Sequence, residues 1–172
     1  MKLKVGHTLA GLVLATVGFS THAENYYVGL KAGSMMIRVG GFDNAVNGGV
    51  NLGYAFGDYS NAPAIEAEYT GSVSDGDISI NGVKGKWSVD TFALYGVYRF
   101  GGDLYGKVKV GYLNERGTAS GPGGTFSGTD KGASAGVGGG WKLAPQMAIE
   151  AEYTRIESDV DFLSVGFNYL FY

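Results

Sequence analysis

The sequence predicts an all-β protein, an eight-stranded antiparallel up-and-down transmembrane β-barrel behind an N-terminal signal peptide, and three observations predict it. Glycine is abundant, at 31 of 172 residues, with 12 tyrosines and 9 phenylalanines beside it. Apolar residues make 45% of the chain while mean hydropathy is only +0.02, so they are dispersed among polar ones instead of pooled into runs. From Asn25 onward the chain reads as short segments alternating apolar and polar residues between turn residues. That period of two is a strand signature, and it suits strands with one face in oil and the other against something polar.

Residues 1–23 stand apart. Lys2 and Lys4 form a short basic region, residues 9–19 are nearly all apolar or small, and Ser20, Thr21, His22 and Ala23 place small residues before a cleavage point. This is the pattern of a secretory signal peptide, and its apolar stretch is shorter than the about 20 residues that a membrane-spanning helix takes. Residues 24–172 then form the barrel domain. Loss of Lys2 and Lys4 from the 13 bases leaves 11 against 16 acids, a net charge of about −5. Both histidines, His7 and His22, leave with the peptide, and the chain has no cysteine. No run of 18 apolar residues remains. An acidic domain with no basic cluster excludes nucleic acid as a partner.

Strand one is expected over residues 26–39, with Val28, Leu30 and Ala32 on one face and Lys31 on the other. Strand two, 48–56, groups Val50, Leu52, Tyr54 and Phe56 opposite Asn51. Strand three starts near Ala64. An Asn81-Gly82 dipeptide between alternating segments is a strong hairpin signal, so this strand is expected to run to Ile80, with a bulge at Asp75 and Gly76. Seventeen residues exceed the about 9–11 that cross a bilayer, so the pair should project as a ribbon. Strand four ends near Phe100, with Phe92, Leu94, Tyr98 and Phe100 outward and Tyr95 and Arg99 inward. Strand five, 104–116, sets Val108, Val110 and Tyr112 against Lys107 and Lys109. Residues 117–131, rich in Gly, Ser and Thr, read as a mobile outer loop. Strand six, 132–143, carries Val137 and Trp141 opposite Lys142. Strand seven, from Met147, alternates Ile149, Ala151 and Tyr153 with Glu150 and Glu152. Strand eight closes the chain with Leu163, Val165, Phe167, Tyr169 and Phe171 on one face.

Two patterns follow from this parity. Tyr54, Phe56, Tyr98, Phe100, Trp141, Tyr169 and Phe171 fall at the turn ends, and Tyr69, Tyr112 and Tyr153 toward the loop ends, as two aromatic girdles do at membrane interfaces. The inward set is charged: Glu66, Glu68, Glu150 and Glu152 against Lys31, Arg99, Lys107, Lys109 and Lys142. An eight-stranded barrel is just wide enough for side chains to fill it. Charges so confined must be paired or wet, so the expectation is a plug of salt bridges. Ile-Glu-Ala-Glu-Tyr-Thr at residues 65–70 recurs unchanged at 149–154, which suggests two strands in equivalent environments. The glycines between 136 and 140 have no helix after them, so they read as close packing and not as a phosphate loop.

The order and spacing of these segments resemble the OmpX/Ail and OmpA-like family of small eight-stranded outer-membrane barrels. The resemblance covers residues 24–172 and is most specific at 104–112, 136–141, 152–159 and 166–172. Such barrels end on an aromatic in phase with the outward residues; here that residue is Phe171, and Tyr172 adds one more. The resemblance implies the outer membrane of a Gram-negative bacterium, contact with its lipid and lipopolysaccharide, and assembly by the barrel-assembly machinery. It further implies sheet edges and loops offered to an extracellular protein or host-surface ligand.

The enzymes known on small barrels of the resembled kind rely on a histidine as general base, and residues 24–172 hold none, so no enzyme is expected. No residue pattern implies a cofactor or metal. The function expected is surface interaction, adhesion or membrane integrity, carried by the outer loops above a closed lumen. A narrow porin-like pore for small solutes is the alternative.

Overall fold

The computed structural model describes residues 25–80 and 82–171. The expected signal peptide at 1–23 lies outside the described residues, as do Asn81 and Tyr172. Nine strands follow in chain order: β1 (Tyr26–Ile37), β2 (Ala45–Ala55), β3 (Pro63–Ser74), β4 (Gly76–Ile80), β5 (Val83–Gly101), β6 (Leu104–Gly121), β7 (Gly124–Ala144), β8 (Met147–Arg155) and β9 (Val160–Leu170). Every pairing is antiparallel, in the order β3-β2-β1-β9-β8-β7-β6-β5, and β3 closes the ring by pairing with β5. β4 is an upward continuation of β3: both pair with β5 in turn, and the chain breaks strand only at Asp75. The wall is therefore eight strands, and closure removes the edges that hydrocarbon cannot satisfy.

Side-chain parity decides what each face meets. On β1, Leu30 is 59% exposed while its neighbour Lys31 is 7% exposed. This is the reverse of a sheet facing water, and it repeats in Val50, Leu52, Phe92, Leu94, Val110, Val137 and Val165, all exposed on the outside. Apolar side chains thus form a continuous outer belt for lipid, and the polar ones turn inward.

The two ends differ. At one end β5 to β6 and β7 to β8 are joined by two residues each, and β2 to β3 by 56–62. At the other end β5, β6 and β7 run on for 19, 18 and 21 residues, against 9 for β8 and 11 for β9. Short turns mark the periplasmic end and long strands the outer one. A tall ribbon of β4 to β7 therefore stands over a low rim of β8, β9, β1 and β2. Gly82, at the β4–β5 turn, has φ +79°, the left-handed conformation that an Asn-Gly hairpin needs.

Residues 117–131 correct the expectation of a mobile loop. The pairing of β6 with β7 runs unbroken to Gly121 opposite Gly124, and Thr118 and Ser127 bring their hydroxyls to 3.2 Å. The ladder set in the membrane simply propagates upward in register, and cross-strand Thr and Ser pairs support it. Composition alone points to a flexible linker.

Candidate functional site

The lumen is built from alternate residues of the wall, and the structure brings eight of its nine expected charges together. Lys31, Lys109, Glu68 and Glu152 form one group. Lys31 Nζ lies 2.6 Å from Glu68 and 3.3 Å from Glu152, and Lys109 Nζ lies 3.0 Å from Glu68 and 2.7 Å from Glu152. Arg99, Lys107, Glu66 and Glu150 form a second. Arg99 reaches Glu66 at 3.2 Å and Glu150 at 2.8 Å, and Lys107 reaches the same two at 3.3 and 2.8 Å. Lys107 also joins the groups, 2.6 Å from Glu152. Four acids meet four bases, and all eight are buried. The charges offset one another within hydrogen-bonding distance, the condition under which buried ions are tolerated.

Lys142 departs from the expectation. It faces inward but lies beyond the last lumen glutamate, beside an irregularity in the β7–β8 register, and its Nζ is 3.7 Å from Asp58 at the periplasmic turns. The lumen glutamates are paired by four bases, and not by the five that parity predicts.

The repeated hexapeptide has a structural counterpart. Its copies lie on β3 and β8, four strands apart in either direction round the wall, so Glu66 and Glu68 face Glu150 and Glu152 across the lumen. The neighbours repeat as well. In register, Tyr27, Gly53 and Glu66 align across β1, β2 and β3, as Tyr105, Gly140 and Glu150 do across β6, β7 and β8. Each tyrosine donates its hydroxyl to the glutamate two strands away, at 2.9 Å in both cases. Each ring lies over the intervening glycine, where a Cβ would come within 2.1 Å of Tyr27 and 2.4 Å of Tyr105. Close approach, and not backbone freedom, is what those glycines supply.

Sequence reasoning missed these two tyrosines, although both share parity with lumen lysines four residues on. It also missed Tyr59. That side chain comes from the β2–β3 turn, folds under the lumen, and donates to Glu150 at 2.8 Å with the Arg99 guanidinium 4.1 Å above its ring. No period marks a turn residue, so no sequence signal placed it there.

Of the expected girdle, Phe56, Tyr98, Phe100 and Trp141 are exposed at the periplasmic end, with Tyr54, Tyr169 and Phe171 half-buried. Rings there touch in pairs, Tyr54 with Phe56 at 5.2 Å and Tyr169 with Phe171 at 5.0 Å, and Tyr26 joins at 4.9 Å from Tyr54. Tyr69, Tyr112 and Tyr153 are exposed at the outer level, where Tyr153 accepts a hydrogen bond from Arg38 at 2.9 Å.

A closed eight-stranded wall, an outer apolar belt and a charged interior narrow the possibilities sharply, and comparison with known proteins agrees. The family model for the outer membrane protein β-barrel domain matches residues 8–171. The chain belongs to that family. Among solved structures it is similar to Neisserial surface protein A, with TM-score 0.68 and 15% identity over 86% of this chain and 98% of that one. It is similar also to Ail, the attachment invasion locus protein of Yersinia pestis, with TM-score 0.59 and 14% identity over 86% and 99%. The N-terminal barrel of Pseudomonas aeruginosa OprF gives TM-score 0.59 and 18% identity over 86% and 98%. At these identities the likeness is one of fold. A comparison with curated proteins finds no match. The protein is an outer-membrane β-barrel that shares its fold with Ail and NspA, at home in the outer membrane of a Gram-negative bacterium.

The outer end of this family member carries the hairpin singled out in sequence. Gly82 caps it, but the free side of β4 is occupied, since Asp43 donates its amide to Asp77 and Ser79 donates to Gly41. The open edge lies elsewhere. Among the described residues, β7 above Ala135 pairs with β6 alone, because β8 meets it only from Ala135 onward. Low on the rim, Asp161 holds both Arg38 and Arg155, tying the ends of β1, β8 and β9.

Proposed function

We propose that this chain is a non-enzymatic surface barrel whose lumen is closed by its ion network and whose outer ribbon makes its contacts. One observation carries the reading: four acids and four bases, paired within 3.3 Å, occupy the middle of the lumen, and Arg99 and Glu66 are 0% exposed. Solutes would have to break these pairs to pass. A filled lumen also offers a substrate no route to the glutamates.

The work then falls to the ribbon. The unpaired outer edge of β7 presents backbone donors and acceptors in the form that binding by strand addition uses. An extracellular protein or host-surface ligand is the partner proposed, with adhesion or membrane integrity as the outcome. Ail has been solved in complex with the heparin analogue sucrose octasulfate, which supports ligand binding by a barrel of this fold. Outer-membrane lipid and lipopolysaccharide surround the belt, and the barrel-assembly machinery inserts it.

Single-channel recording in a planar bilayer tests the closed lumen. The barrel is expected to be silent after a heat-modifiability gel establishes that it is folded. Steady, reproducible openings would instead make a narrow porin-like pore the primary reading, with the lumen charges as its selectivity determinants.

A further inference from the structure

Above the ion network the interior changes character. Met35, Leu113 and Phe162 are fully buried there, and over them the ribbon and the low rim flank an open cavity of about 400 Å³. Its walls are mainly apolar: Ile37, Phe42, Trp87, Val89, Phe126 and Val160. The size falls within the range of small-ligand sites, which are typically apolar with a few convergent polar groups.

Ser88, Thr118 and Ser127 add hydroxyls to the lining, and its charged group is Glu115. It follows Leu113 on the inward face of β6, lines the cavity, and has a half-buried carboxyl. Its Oε2 is shielded from solvent and has no hydrogen-bond partner among the described residues. A shielded carboxylate oxygen normally has a donor, since leaving one without costs stability. The neighbours aggravate this. Asp130 stands directly opposite Glu115 in the β6–β7 register, a like-charge pair of the kind that destabilises a sheet, and Glu157 acts on it from the β8–β9 loop. The nearby bases do not help. Arg38 and Arg155 are held by Asp161, while Arg116 and Lys131 occupy the alternate, outward positions of the ribbon. Burial first, and then Glu157 and Asp130, push the Glu115 carboxyl up to about 7.

We propose that this vestibule is a binding site for a small amphipathic organic ammonium ion, its apolar body against Phe42, Trp87 and Val89 and its N–H groups donated to the Glu115 carboxylate. The acidic surroundings, Glu115 with Asp130 and Glu157, supply charge complementarity that a neutral or anionic apolar ligand lacks. The site lies above the ion network and does not depend on whether the lumen conducts.

The test is calorimetric titration of the barrel, purified from outer membranes into nanodiscs of zwitterionic lipid. The probes are phenethylammonium, its neutral isostere 2-phenylethanol, and phenylacetate. Phenethylammonium should bind saturably at one site per barrel, about tenfold or more tighter than 2-phenylethanol, as one charge-assisted hydrogen bond allows. Phenylacetate should be weakest. Glu115→Gln should lower phenethylammonium affinity by about the same factor while leaving 2-phenylethanol unchanged, and Asp103→Asn at the periplasmic end should change neither. Equal binding of the ammonium and the alcohol would overturn the proposal, as would an unchanged Glu115→Gln variant. So would the absence of saturation by about 10 mM phenethylammonium. A heat-modifiability gel on each variant separates lost binding from lost fold.

Discussion

The ammonium of Lys107 on β6 lies 2.6 Å from the carboxylate of Glu152 on β8, across a whole strand, and the residue between them in register is Gly138 on β7. Without a side chain at that point the two long side chains can meet over the backbone. A Cβ on Gly138 would stand 2.4 Å from the Ala151 carbonyl oxygen and 3.1 Å from Glu152 Cγ. Gly138→Ala should therefore lower stability by about 1–3 kcal/mol, the cost of overpacking a filled interior. Gly132→Ala, where a Cβ meets nothing within 4 Å, should change little. Urea midpoints of the two variants, refolded in the same detergent, decide this; equal midpoints would contradict the packing described.

Glu150 is the acceptor for Arg99, Lys107, Tyr59 and Tyr105 together. Glu150→Gln keeps the shape but leaves two buried bases short of a counter-charge. Breaking a buried pair in this way costs about 3–5 kcal/mol, more than the pair itself contributes. The urea midpoint should fall accordingly. Adding Lys107→Met should recover part of the loss, because the uncompensated ammonium is then gone. A midpoint that Glu150→Gln leaves in place would remove the salt-bridged plug from the account.

How much of this was readable beforehand follows from what leaves a period in the sequence. Strand faces do, so Lys31, Glu66, Arg99 and Lys107 were assigned to the interior by alternation alone. The hexapeptide repeat announced equivalent environments, and the structure sets them on opposite walls. Single side chains that reach in from a turn leave no period, which is why Tyr59 went unseen. Reach is equally silent: Lys142 has the right parity but sits too near the turn to meet a glutamate. The strands at 117–131 were hidden because Gly, Ser and Thr look alike in a linker and in a ribbon held by its neighbour's register.

Acidity should affect the outer end in a defined sense. The Glu115 carboxyl is raised from its ordinary 4.5 to about 7 by burial, Glu157 and Asp130. Between those values the folded barrel holds a proton that the unfolded chain has lost, so stability falls as pH rises through this window. Below it the penalty is absent, and above it the penalty is complete. Glu115→Gln carries no such group, so its advantage over the natural barrel should be small at about pH 5 and larger at about pH 8. Urea midpoints of both proteins at the two pH values give the comparison. A gap that stays constant would mean the carboxyl does not titrate within the window.

The ribbon and the lumen are separable in sequence as well as in space. The outermost ion pair contributed by β6 is that of Lys109, opposite Gly136, and everything above Leu113 on β6 or below Gly132 in number on β7 belongs to the ribbon. Replacing residues 115–132 by a two-residue turn should thus leave all eight paired charges in place. The shortened barrel is expected to keep its heat-dependent gel shift and its silence in planar bilayers, while any surface adhesion conferred by the intact protein on whole cells is lost. Retained adhesion would move the contact surface to the remaining β4–β5 hairpin or to the low rim of β8, β9, β1 and β2, where Asp161, Arg38 and Arg155 would be the next residues to change. Conductance appearing in the shortened barrel would show that the ribbon, and not the ion network, closes the lumen.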